Sequence, residues 1–314
     1  ETARRWLLVL AGQYPDGIAS KGLGDHESLV PAPAAPLVTP LYFQSATLLG
    51  QMARTLGRKD DEVRFTGLAE KIRKAYQKEF LDPETGVAGP GSQAGQAFAL
   101  YSGLVPDHLR EKASARMLDD IRGRRNHLTT GIFGTKFMLD ELSRSGHAET
   151  AFTIVNQPDM PGWRWMLKNG ATTLWEHWAG GDNTFSQNHP MFGSVSQWFF
   201  NCVGGIRPAR DAVGFDRIVI APQAVGDLRW AKTRYQSVRG WVASEWKKDN
   251  GHFELTVTIP IGATAEVHIP ARNAAGVMEG GQAADSAEGV RFLYSDHGAA
   301  VFGVESGTYR FFRP

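Results

Sequence analysis

The sequence predicts a mainly α-helical region followed by an all-β tail, a small antiparallel β-sandwich. Three observations carry this. Residues 1 to about 205 fall into stretches of helical period separated by Gly/Pro loops. From Arg217 the period becomes alternating, through RIVIAP, WAKTRYQSVRG, GWVASEWKK, HFELTVTIP and AEVHIP to GTYRFFRP. Between them, GGIRPARDAVGFD (Gly204 to Asp216) has the composition of a link, so the expected domains are 1–205 and 206–314.

Thr2 to Tyr14 reads as an amphipathic helix, with Trp6, Leu7, Leu10 and Tyr14 at helical spacing. No cap or initiator methionine precedes it, and the expectation is that the natural chain continues upstream. A long loop follows, Pro15 to Pro36, holding GLGDHESL and four prolines; loops of this length are usually functional or disordered. The next helix is expected to open at Thr39, with Pro40 at its first position and Gly57 past its end. Asp60 to Phe80 carries acids in its first turn and bases in its last, as the helix dipole prefers. Further helices are expected at Ser92–Ser102, Pro106–Arg122, Ile132–Ser145 and His147–Val155. The short links imply antiparallel neighbours, and no sequence repeat is visible, which leaves a helical bundle or part of an α/α toroid. In the tail, Asp249, Asn250 and Gly251 between two alternating runs form a hairpin signal.

Composition narrows the function. The 34 basic and 33 acidic residues give a formal charge of +1, and the bases are spread along the chain, so neither a nucleic acid nor an anionic membrane is an expected partner. A neutral substrate fits this balance. The single cysteine, Cys202, lies in the apolar stretch WFFNCVGG and reads as a buried thiol; one cysteine builds neither a disulfide nor a thiolate metal site. His177 and His189 match no zinc spacing and no third ligand is evident, so no metal is expected. There is no phosphate-binding glycine loop after a strand, no GxSxG elbow and no Cys-His pair, and no cofactor is expected. The compartment is not encoded.

The densest chemistry lies in Pro161 to Trp198, where Trp163, Trp165, Trp175, Trp178 and Trp198 alternate with glycines and polar residues. Indole offers a flat apolar face and one N–H donor, which suits the C–H face of a pyranose; a plain core cluster is the other reading. Glu176 sits in TTLWEHW between Trp175 and Trp178, an apolar setting that suits a carboxyl to proton transfer. Its structural alternative is an ion pair with Arg164 or Lys168, or a hydrogen bond to Thr172 or Thr173. His189 stands at a loop-to-helix junction, as a cleft residue or as a capping or core histidine. Asp25, His26 and Glu27 form a second polar group, either a solvated or capping loop or a set of contacts to sugar hydroxyls across from Glu176.

The strings NGATTLWEHW, SQNHPMFGSVSQWFFNCVGGIRP and GFDRIVIAPQ, preceded in order by GLGDHESL, TGIFGTKFMLDEL and PGWRW, resemble the C-terminal part of family 78 glycoside hydrolases, the bacterial α-L-rhamnosidases. The resemblance implies an (α/α)6 barrel followed by a β-sandwich, and hydrolysis of terminal α-L-rhamnosyl groups, in a glycoside or polysaccharide, with inversion. It implies Glu176 as the general base and His189 in the rhamnose subsite, with Trp163 or Trp165, Asp25, His26 and Glu27 lining the same pocket. Two departures stand out. Many members carry an aromatic residue where this chain has His26, and the family's general acid lies in a DERxGW-like segment that does not occur in these residues. The expectation is therefore that the acid belongs to an N-terminal part of the same protein and that this chain alone is inactive. Competing expectations are a non-catalytic carbohydrate-binding protein and an inverting hydrolase of another sugar.

Overall fold

A computed structural model describes residues 1–180 and 186–314. The Pro161 to Trp198 stretch therefore includes five positions outside the described residues. The chain divides into two compact units, Glu1–Ser194 and Val195–Pro314. The division falls ahead of the expected link because residues past 194 join the second unit: the Trp246 indole N–H donates to the Val203 carbonyl at 2.7 Å, and the Cys202 thiol to Gln223 Oε1 at 3.3 Å. Cys202 is a buried thiol, as expected.

The first unit is helical. Its elements are α1 (Thr2–Gln13), α2 (Ala35–Thr55), α3 (Lys59–Phe80), α4 (Gln93–Ser102), α5 (Asp107–Gly123), α6 (Ile132–Arg144), α7 (Ala148–Val155) and α8 (Trp163–Lys168). A short helix α9 (Ser194–Trp198) and a π turn (Phe199–Val203) open the second unit. Packing runs between sequence neighbours, α1 on α2, α2 on α3, α4 on α5 and α6 on α7, with α4 also meeting α2 and α6. Helix α4 is the buried centre: Gln93 through Leu100 are all buried. Ser92 caps it, its hydroxyl accepting the Gly95 N–H at 3.2 Å. Its two buried glutamines tie down the surrounding loops, Gln96 bonding Ala88 and Ala113, and Gln93 accepting the Thr129 N–H at 2.8 Å. That last bond fixes the approach to α6.

Helix α2 starts at Ala35, not at Thr39, so Pro36 takes the first-turn position and Pro40 lies inside the helix. Pro40 has no N–H for the Pro36 carbonyl four residues back. The hydroxyl of Tyr76, fully buried on α3, donates to that carbonyl at 3.3 Å instead. A long-range bond thus repairs a local defect, which is why the helix start lies outside what local sequence signals give.

The second unit is the β-sandwich. One sheet runs β3 (Trp230–Ser237), β4 (Gly240–Asp249), β5 (His252–Ile259), β11 (Gly307–Arg313), β7 (Met278–Glu279), β8 (Gln282–Ala283). The other runs β1 (Ile206–Pro208), β2 (Arg217–Ile220), β6 (Thr264–Ile269), β10 (Ala299–Val304), β9 (Val290–Asp296). Pairing is antiparallel except between β2 and β6, where Arg217 faces Thr264 and Ile220 faces Val267 in parallel register. Alternate residues fill the core, Val242, Trp246, Leu255 and Val257 from one sheet and Val267, Ile269, Phe302 and Val304 from the other. The expected hairpin joins β4 and β5: Asn250 (φ 47°) and Gly251 (φ 87°) both adopt the left-handed region that a two-residue turn of matching twist needs.

Candidate active site

Three segments of the helical unit converge. The first is the loop before α2. Asp25 is buried, and its carboxylate accepts the N–H groups of Gly131 at 2.7 Å and Gly134 at 2.8 Å, at the N-terminus of α6. Ile132 N–H donates to the His26 carbonyl at 2.8 Å and Leu29 N–H to the Thr129 carbonyl at 3.0 Å, so the loop lies along the start of α6. Contact this close requires glycine: a Cβ on Gly131 would stand 1.9 Å from the His26 carbonyl oxygen, and one on Gly134 2.4 Å from Asp25 Oδ2. Burial pushes the Asp25 carboxyl up to about 6, against the opposing pull of the N–H groups of Gly134, Gly131 and Phe133 and of His26.

The second and third segments form an irregular ladder. Glu176 N–H donates to the Ser186 carbonyl at 2.9 Å and His189 N–H to the Leu174 carbonyl at 2.8 Å. The Ser186 N–H returns a bond to Glu176 Oε2 at 3.0 Å, and the Thr173 hydroxyl bonds the Gln187 carbonyl. Trp178, completely buried, locks this ladder to the first segment: its indole N–H donates to the Thr130 carbonyl at 3.0 Å, while its ring packs on Trp163 and Phe192.

The result is an alternating row of imidazoles and carboxylates. Oε1 of Glu176 lies 3.9 Å from Nε2 of both His189 and His26. The same His26 nitrogen is 3.4 Å from Glu27 Oε1, and Glu27 Oε2 is 3.9 Å from His177 Nε2. Glu176 keeps 22% of its side chain open to solvent. Among the described residues no arginine or lysine pairs with it, and Arg164 instead bonds Asn156. Such an atom set can hold an oxygen beside Oε1 and take a proton from it.

The structure thus brings together four of the expected site residues, Glu176, His189, His26 and Glu27. It does not bring Asp25 to them as a hydroxyl contact: both of its oxygens face the α6 backbone, and it braces the loop from behind. Trp163 is corrected likewise. It is 8% exposed, its N–H is committed to the Phe192 carbonyl at 3.0 Å, and its ring stands edge-on to Trp178, so it is core. Trp175, Trp178 and Trp198 are also buried. Trp165, half-buried on α8, has a buried indole N–H without a hydrogen-bond partner among the described residues. His177, whose Nε2 lies 3.9 Å from Glu27 Oε2, suggests from sequence only a metal ligand; its place beside Glu176 in an irregular loop gives no local clue to where its ring points.

Residues 1–203 match the family described as the bacterial alpha-L-rhamnosidase 6 hairpin glycosidase domain, and residues 205–284 the bacterial alpha-L-rhamnosidase C-terminal domain. An alpha-L-rhamnosidase of Streptomyces avermitilis is 33% identical over 98% of this chain and 29% of that protein. One from Formosa agariphila is 27% identical over 95% of the chain and 32% of its own length. The chain therefore spans about 30% of the curated relatives it matches. Among solved structures, the S. avermitilis alpha-L-rhamnosidase complexed with L-rhamnose superposes with a TM-score of 0.91 at 32% identity, over 99% of this chain and 30% of that one. The alpha-L-rhamnosidase from Dictyoglumus thermophilum gives 0.90 at 31%, over 99% and 36%. With a match that runs from residue 1 to residue 203, the chain belongs to the bacterial α-L-rhamnosidase six-hairpin glycosidase family.

Proposed function

We propose that this chain supplies the base side of the active site of an inverting α-L-rhamnosidase, with Glu176 as general base and the general acid contributed by residues outside these 314. One observation carries the reading: Glu176 is a partly open carboxylate with one oxygen fixed by the Ser186 N–H and the other flanked by two imidazoles, free of any permanent cation among the described residues.

In the proposed reaction a water at Oε1 gives its proton to Glu176 as its oxygen attacks the anomeric carbon. The bond from that carbon to the glycosidic oxygen breaks on the opposite face, and the acid protonates the leaving oxygen. Inverting enzymes set the two carboxyl groups roughly 6.5 to 9.5 Å apart to admit the water. The substrate is a terminal α-L-rhamnosyl group of a glycoside or polysaccharide, in keeping with the L-rhamnose bound by the S. avermitilis relative. His189 meets a sugar hydroxyl, and the unpartnered N–H of Trp165 supplies a further donor. Residues 1–205 act as the C-terminal part of the catalytic barrel and 206–314 as its accompanying sandwich.

The test is made on the full-length parent with an aryl α-L-rhamnoside, following the first-formed anomer by proton NMR. Release of β-L-rhamnose first, and a loss of roughly 10² to 10⁴-fold in Glu176→Gln, is the expected result. Near-normal turnover by that variant would sink the assignment.

A further inference from the structure

We propose that Glu27 is a positioning residue for Glu176, acting through His26; the proposal rests on the reading of Glu176 as the base. Glu27 has φ 62°, in the left-handed region that a residue with a Cβ adopts at a cost. The conformation is imposed by its surroundings. The Ser28 N–H closes a turn onto the Asp25 carbonyl at 3.0 Å, Ile132 holds the His26 carbonyl, and Gly131 makes room for both. Backbone strain of this kind persists where neighbours over-determine it, and here its effect is to place the His26 ring beside both Glu27 and Glu176.

The order within the row separates their roles. Glu27 is the most enclosed of the five side chains, 12% exposed against 38% for His26. The His26 Nε2 stands between Glu27 Oε1, at 3.4 Å, and Glu176 Oε1, at 3.9 Å. It lies nearer the more enclosed carboxylate, so Glu27 sets where the ring sits. His26 so held steadies Oε1 of Glu176 while the Ser186 N–H holds Oε2. With Oε2 hydrogen-bonded to the Ser186 N–H and the imidazole seated beside Oε1, the orientation of the base is restrained. Loss of that alignment lowers the rate of the chemical step and leaves substrate affinity in place.

The experiment uses the full-length parent and two variants, Glu27→Gln and Glu27→Gly. Glycine takes φ 62° without strain, so the second variant removes the carboxylate while relieving the backbone. Expected for both is a fall in kcat of about tenfold or more per folded molecule with KM within about twofold, and a melting temperature in the glycine variant equal to or above that of the parent. An unchanged kcat in both would overturn the proposal. So would a raised KM at constant kcat, which would make Glu27 a sugar contact, or a lowered melting temperature with kcat per folded molecule unchanged. Glu176→Gln in the same series separates the two ideas: its silence sinks the base itself, whereas its loss of turnover beside silent Glu27 variants sinks only the positioning role.

Discussion

The carboxylate of Asp25 accepts the N–H of Gly131 from 106 residues away in sequence, and this bond attaches the loop carrying His26 and Glu27 to the first turn of α6. A second bond, to Gly134, makes the attachment two-pronged. Loop geometry at the site is therefore set by a helix terminus rather than by the loop's own residues.

The ionisation of Asp25 gives the fold a pH dependence. Its carboxyl is raised from 3.8 to about 6 in the folded chain, so between those values the folded state holds a proton that the unfolded state has lost. Stability is fully present below about pH 4, falls as pH rises through about 6, and is level above it. The linkage corresponds to on the order of 3 kcal/mol, reduced by residual screening. Thermal melts at pH 4 and pH 7 should show a drop for the parent that is smaller in Asp25→Asn; equal drops would remove Asp25 as the cause.

Gly131→Ala should be among the most damaging single-methyl additions in the helical unit. Its Cβ would meet backbone, the His26 carbonyl oxygen, which cannot turn aside as a side chain can. Turnover of an aryl rhamnoside by the full-length parent should fall by about 10² or more as the loop leaves α6, since small misplacements at a site are costly. Gly12→Ala, with nothing within 4 Å of the new Cβ, serves as the control and should be neutral. Full activity in Gly131→Ala would show that the loop need not touch α6.

Tyr76→Phe isolates the repair of α2. The variant keeps the buried ring and removes only the hydroxyl that serves the Pro36 carbonyl. A buried carbonyl left without a donor costs about 1–3 kcal/mol, so a destabilisation of about 1–2 kcal/mol is expected by denaturant unfolding, without effect on catalysis. A variant as stable as the parent would mean that water replaces the hydroxyl.

His189→Ala should separate from the Glu27 variants in kinetics. If His189 meets a sugar hydroxyl, its loss weakens ground and transition state alike, and KM for the aryl rhamnoside rises about tenfold with a smaller change in kcat. A pure kcat effect would instead make His189 part of the base assembly.

Much of the molecule is legible locally. The Ser92 cap, the dipole-matched charges of α3 and the Asn250–Gly251 turn each act within a few residues, and each appears where the sequence places it. What escapes local reading is set by distance. The start of α2 depends on Tyr76, the parallel pairing of β2 with β6 on packing within the sheet, and the direction of Asp25 on a helix over a hundred residues on. The site divides the same way. Glu176 and His189 stand out by their neighbours, and two of three acidic-loop residues reach them, but nothing near Asp25 in sequence distinguishes a brace from a contact. The paired glycines of TGIFG, three apart at a helix start, are the signal that would have revealed it.

Strand β11 occupies an interior position, with β5 on one side and β7 on the other, and Phe311 on it is fully buried. Deleting residues 307–313 would not trim a border but cut the sheet through its middle, stranding the β7–β8 ribbon and opening the hydrogen-bonding rim of β5 to other chains. Until this strand pairs the same sheet stays split, so loss of residues 307–313 should yield insoluble protein.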